Sequence, residues 1–133
     1  MKWHIYIDGA CSGNPGDSGA GMVVFDESGA ELMRDSKYLG RMTNNMAEYE
    51  ALLNALEKAR ENSITHLSVY TDSQLVACQV SGQYRVRDEK LRPYVQKALY
   101  SIRSFESFNL QHIPRESNSI ADKLAKAAAN KKG

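Results

Sequence analysis

The sequence predicts an α/β domain in which helices cover the faces of one mixed sheet. Three observations lead there. Up to Leu39, apolar and polar residues alternate with the period of a half-buried strand, and glycine-rich turns break the alternation. From Asn44 onward the apolar residues recur at helical spacing. Beyond that helix, strand-length runs are separated by helices, which is how parallel pairs form through right-handed crossovers.

Taken in order, Trp3, Ile5 and Ile7 alternate with His4, Tyr6 and Asp8 in a first strand from about Lys2 to Asp8. Gly9 to Gly19 is rich in glycine, serine, asparagine and proline and reads as loop throughout. It lacks the Lys-Ser/Thr pair of a phosphate-binding loop. A second strand is predicted near Gly21 to Asp26, a turn at Glu27-Ser28-Gly29, and a third strand near Glu31 to Leu39. Leu52, Ala55, Leu56 and Ala59 define one face of a helix from about Asn44 to Glu61. A strand at Leu67 to Thr71 and a short helix from Ser73 to Val80 follow, then loop from Gly82 to Asp88. A helix near Lys90 to Ser104, a strand near Ser107 to Ile113 and a helix from Ser119 to Ala129 complete the order βββαβααβα.

The 133 residues suit a single domain spanning 1–133. Hydrophobic residues make up 42% and charged residues 25%, as in ordinary globular domains. No apolar run is long enough for a membrane helix, and no signal sequence precedes the first strand. Cys11 and Cys78 have no metal-site spacing and read as free thiols, which suits a cytoplasmic monomer. A net charge of +1 means that any nucleic-acid binding must come from a local basic patch.

Four acids carry the chemistry: Asp8, Glu48, Asp72 and Asp122. Each has a structural alternative. Asp8 could be a turn residue, and Glu48 a capping glutamate three residues after Asn45. Asp72 could cap a helix, and Ser119-x-x-Asp122 could be a capping box. Against these, Asp8 and Asp72 end strands expected to be neighbours, and Glu48 shares a helical face with Leu52, Ala55, Leu56 and Ala59. Four separate caps have no reason to converge at the carboxyl ends of a sheet, where α/β sites form. Such a cluster of negative charge calls for metal ions and suggests metal-dependent phosphoryl transfer. Carboxylate oxygens suit magnesium, and the lack of a Cys/His cluster argues against zinc.

Four short signatures occur in order: Ile7-Asp8-Gly9-Ala10-Cys11-x-Gly13-Asn14-Pro15-Gly16, Thr43-Asn44-Asn45-x-x-Glu48, Thr71-Asp72-Ser73-Gln74 and Ala121-Asp122-x-Leu124-Ala125. On these the chain resembles type 1 ribonuclease H over nearly its whole length. The resemblance implies the ribonuclease H-like fold, a five-stranded mixed sheet with its first three strands antiparallel and helices on its flanks. It implies endonucleolytic cleavage of the RNA strand of RNA–DNA hybrids, giving 5′-phosphate and 3′-hydroxyl ends. The catalytic, metal-holding carboxylates fall on Asp8, Glu48, Asp72 and Asp122. Two Mg2+ ions are expected, with Mn2+ as a substitute and Asp8 between the two ions.

Asn14, Asn44 and Gln74 match positions that contact the hybrid in that family. Thr43 and Asn14 resemble its pocket for a DNA-strand phosphate, and Asn45 supports the loop or reaches the minor groove. For Asn44 and Asn45 the alternative is helix capping. A basic helix-and-loop insertion found in many members is absent, since Gly82 to Asp88 leads almost directly into a helix. Arg85, Arg87, Lys90 and Arg92 form either a smaller basic patch or a solvated charged turn, and the patch predicts weaker, salt-sensitive binding. The family's mobile histidine has no firm counterpart: His112 falls in a strand, and Arg115 is the alternative electrostatic helper. A hybrid-binding module without catalysis, or a different nuclease on the same fold, are the rival readings.

Overall fold

In the computed structural model, which describes residues 1–131, the first two strands are longer than their composition suggests. β1 (Lys2–Ser12) and β2 (Gly16–Asp26) pair antiparallel from Trp3↔Asp26 to Ser12↔Asp17. The glycine-rich stretch read as loop is therefore mostly strand, with a tight turn at residues 13–15. Gly13, at φ +89°, belongs to that turn, whereas Gly9 and Gly19 serve close approach. A Cβ on Gly9 would run into the backbone of Ala47 and Glu48, and one on Gly19 or Gly21 into the backbone of the last helix.

β3 (Glu31–Met42) pairs antiparallel with β2 and runs three residues beyond its expected end at Leu39. The first helix, α1 (Asn44–Glu61), begins where the Thr43 hydroxyl accepts the Met46 N–H at 3.2 Å. Lys58 and Arg60 in its last turn suit the negative end of the helix. Next come β4 (His66–Thr71) and α2 (Gln74–Val80), the latter capped by Ser73. The next helix, α3 (Arg92–Ile102), starts two residues later than expected. Asp88 accepts the Lys90 N–H at 2.9 Å, which holds Lys90 in a turn. β5 (Ser107–His112), a single 3-10 turn at Arg115–Ser117 and α4 (Ser119–Ala129) complete the chain.

The sheet has five strands in the order β3-β2-β1-β4-β5. β4 pairs parallel with both β1 and β5. Buried Trp3, Ile5, Ile7, Leu67 and Val69 meet Leu52, Ala55 and Leu56 of α1 in the main core. On the other face, Ala121, Ala125 and Ala128 of α4 lie buried over the glycines of β2. Among the described residues, no helix is long and apolar enough to cross a membrane.

Candidate active site

The parallel ladder between β1 and β4 ends at Ile7↔Thr71. One residue on, Asp8 and Asp72 stand side by side where the two strands part. β1 continues past Asp8 with β2 alone, so Asp8 marks a fork in the sheet and not a strand end. Above the fork lies the first turn of α1. The absence of a side chain on Gly9 lets Ala47 and Glu48 press against β1, and the Gly9 N–H donates to Glu48 Oε1 at 2.6 Å. Carboxylate oxygens of Asp8, Glu48 and Asp72 all lie within 4.8 Å of one another. Asp8 and Glu48 are buried, at 4% and 7% exposure.

Asp122 joins from α4. It shares a hydrogen bond with Asp8, and the Lys126 ammonium lies 3.1 Å from its Oδ2. All four acids line one cavity of about 430 Å³, together with Asn44, Arg115 and Lys126. The structural alternatives for these acids fail one by one. α1 is capped by Thr43 and α2 by Ser73, and the Glu48 carboxylate turns to Gly9. α4 has Asn118 at its N-cap position, so Ser119 and Asp122 form no capping box.

The electrostatics follow from this crowding. Burial pushes the Asp8 carboxyl up to about 10, and the charges of Glu48 and Asp72 and the contact with Asp122 add to the rise. Burial likewise raises Glu48 to about 8, against the pull of the Gly9 N–H and of Arg115. Asp122 is pushed up by partial burial. Hydrogen bonds with Asp8 and Lys126 and the charges of Lys126 and Arg115 outweigh this and hold it below the usual carboxylate range. Without a cation, two of these acids thus tend to keep protons. An all-oxygen donor set with this much mutual repulsion fits hard divalent ions.

The expected substrate contacts divide. Asn44 lines the cavity. Asn14 reaches toward it, its Oδ1 accepting the Asn44 N–H at 3.0 Å. Thr43 caps α1, while Asn45 and Gln74 are exposed and do not line this cavity. Of the two auxiliary candidates, Arg115 lines the cavity and His112, the exposed last residue of β5, does not.

Two residues escaped the sequence reading. Asn118 is 2% exposed, and its Nδ2 donates to Ile7 O at 2.8 Å and lies 3.5 Å from Asp72 Oδ2. Its place just before a helix invited a capping role and concealed this one. Lys126 could have been found from its spacing of four from Asp122.

Comparison with known proteins agrees with the fold. A family model described as reverse transcriptase-like matches residues 6–128. The chain is similar to ribonuclease HI of Halobacterium salinarum, with 38% identity over 94% of this chain and 63% of that one. The crystal structure of RNase H1 from that archaeon superposes with a TM-score of 0.96, at 36% identity, covering 99% of this chain and 100% of that chain. A bifunctional protein of Mycobacterium tuberculosis is 40% identical over 96% of this chain, which spans 35% of its length. The chain thus spans about two thirds of one of these curated relatives and about one third of the other. A ribonuclease H1 isolated from compost, LC11, solved in complex with an RNA/DNA hybrid, has a TM-score of 0.91 and 37% identity, covering 97% of each chain.

Proposed function

The chain belongs to the type 1 ribonuclease H family, and from that premise we propose that it cleaves the RNA strand of RNA–DNA hybrids. The observation that carries the reading is the convergence of Asp8, Glu48 and Asp72 at the fork between β1 and β4, with Asp122 in the same cavity. Asp8, Glu48, Asp72 and Asp122 would hold two divalent ions, Mg2+ or Mn2+. When bound, such ions activate the attacking water and neutralise charge on the phosphate and the leaving oxygen, leaving 5′-phosphate and 3′-hydroxyl ends.

The protein's own groups position these acids. The Gly9 N–H fixes the Glu48 carboxylate. Asn118 ties α4 to the Ile7 carbonyl and lies against Asp72. Asn44 and Asn14, linked at the mouth of the cavity, offer amide groups to the 2′-hydroxyl, which distinguishes RNA from DNA. Arg115 supplies positive charge near the scissile phosphate.

The test is cleavage of a labelled hybrid beside RNA–RNA and DNA–DNA duplexes, in Mg2+, Mn2+ and chelator. Cuts in the RNA strand of the hybrid alone, lost in chelator, are expected. Hybrid binding without cleavage in either metal would mean a binding module instead.

A further inference from the structure

Lys126 is the one cation in the cavity that forms an ion pair with a site carboxylate among the described residues. It stands four residues after Asp122 on α4, so the helix itself sets the pairing. The Asp122 side chain is 19% exposed and that of Lys126 56%, so the ammonium reaches the carboxylate from the solvent side. Asp122 is also the acid whose oxygens lie outside the mutual cluster of Asp8, Glu48 and Asp72. Three acids are thus gathered within 4.8 Å of one another, and the fourth, bonded to Asp8, is also held by a lysine of its own helix.

We propose that Lys126 competes with the divalent ion that Asp122 helps to hold. In the metal-free protein the ammonium occupies Asp122. The Asp122-side ion binds as the lysine swings away, and the lysine returns when that ion leaves. The inference rests on the reading of these four acids as metal ligands. Lysine suits such exchange, being a compact, strongly hydrated charge on a flexible stem. An exposed i,i+4 pair is weak enough to be displaced by a doubly charged ion. The lysine thereby sets how much metal is needed to fill the second position, without affecting the first. A plain surface ion pair would steady α4 and leave metal binding unchanged.

Mn2+ titration of the whole chain, with free Mn2+ read by electron paramagnetic resonance, separates the two. In Lys126→Met the weaker Mn2+ dissociation constant should fall roughly two- to fivefold, with the tighter one unmoved. Lys126→Arg should keep the wild-type value. In an Asp122→Asn background, adding Lys126→Met should change nothing. Far-UV circular dichroism checks folding, and Lys126→Gln replaces Lys126→Met if that variant does not fold. Unchanged or weaker Mn2+ binding in the folded variant overturns the proposal, as does an equal effect in the Asp122→Asn background. If the wild type binds no Mn2+, the metal-ligand reading falls with it. If it binds Mn2+ but Lys126→Met is silent, only the role of Lys126 is lost.

Discussion

Asp8 is a liability to the metal-free fold and the centre of the proposed chemistry. Its carboxyl and that of Glu48 hold protons up to about 10 and about 8, far above their values in an unfolded chain, about 4. Between those limits the folded chain keeps protons that the unfolded chain has released. Stability of the metal-free protein should therefore fall as pH rises from about 4 toward 8–10. Chemical denaturation in chelator at pH 5, 7 and 9 measures this, and added Mg2+ should flatten the trend. By the same reasoning Asp8→Asn should raise metal-free stability by about 0.5–2 kcal/mol while abolishing cleavage. A variant less stable than the wild type in chelator would contradict the repulsion described. Asp72→Asn should fold normally and lower kcat by at least about 10²–10³-fold in the hybrid assay.

At the scale of elements, the junction of β1 and α1 is the sensitive place. Gly9→Ala should cost about 1–3 kcal/mol in thermal or denaturant unfolding, because its methyl group meets the α1 backbone. It should also reduce cleavage, by shifting the Glu48 carboxylate that Gly9 holds. Helix and strand periods revealed nearly every element, and Ser119–Ala129 ends where the pattern says. The four acids were legible because each breaks an apolar or turn context. Strand extents near Gly9 and Gly19 were not, since glycine signals both a turn and a close contact and only the partner backbone decides. Asn118 was illegible for a related reason. Its partners, Ile7 and Asp72, lie far away in the sequence, and nothing local points to them.

For the whole molecule, residues 81–91 join α2 to α3 without an intervening helix. Arg85, Arg87 and Lys90 are exposed there, while Arg92 is engaged by Glu89 at 3.1 Å. With net charge +1, the proposed hybrid binding would depend on a few local cations. A plot of log affinity against log salt should fall with a slope near −0.9 for each phosphate neutralised. A fluorescence anisotropy titration between low and physiological salt reads it, and a flat line would show that these cations do not grip the backbone. The hydrogen bond from Asn118 to Ile7 spans 111 positions. Closing a loop of that length costs entropy that the packing of the sheet and helices must offset. The acids of β1 and α4 are thus brought together by the fold and by nothing local in the sequence. Under the proposed function, hybrid cleavage would therefore report that the first strand and the last helix have docked.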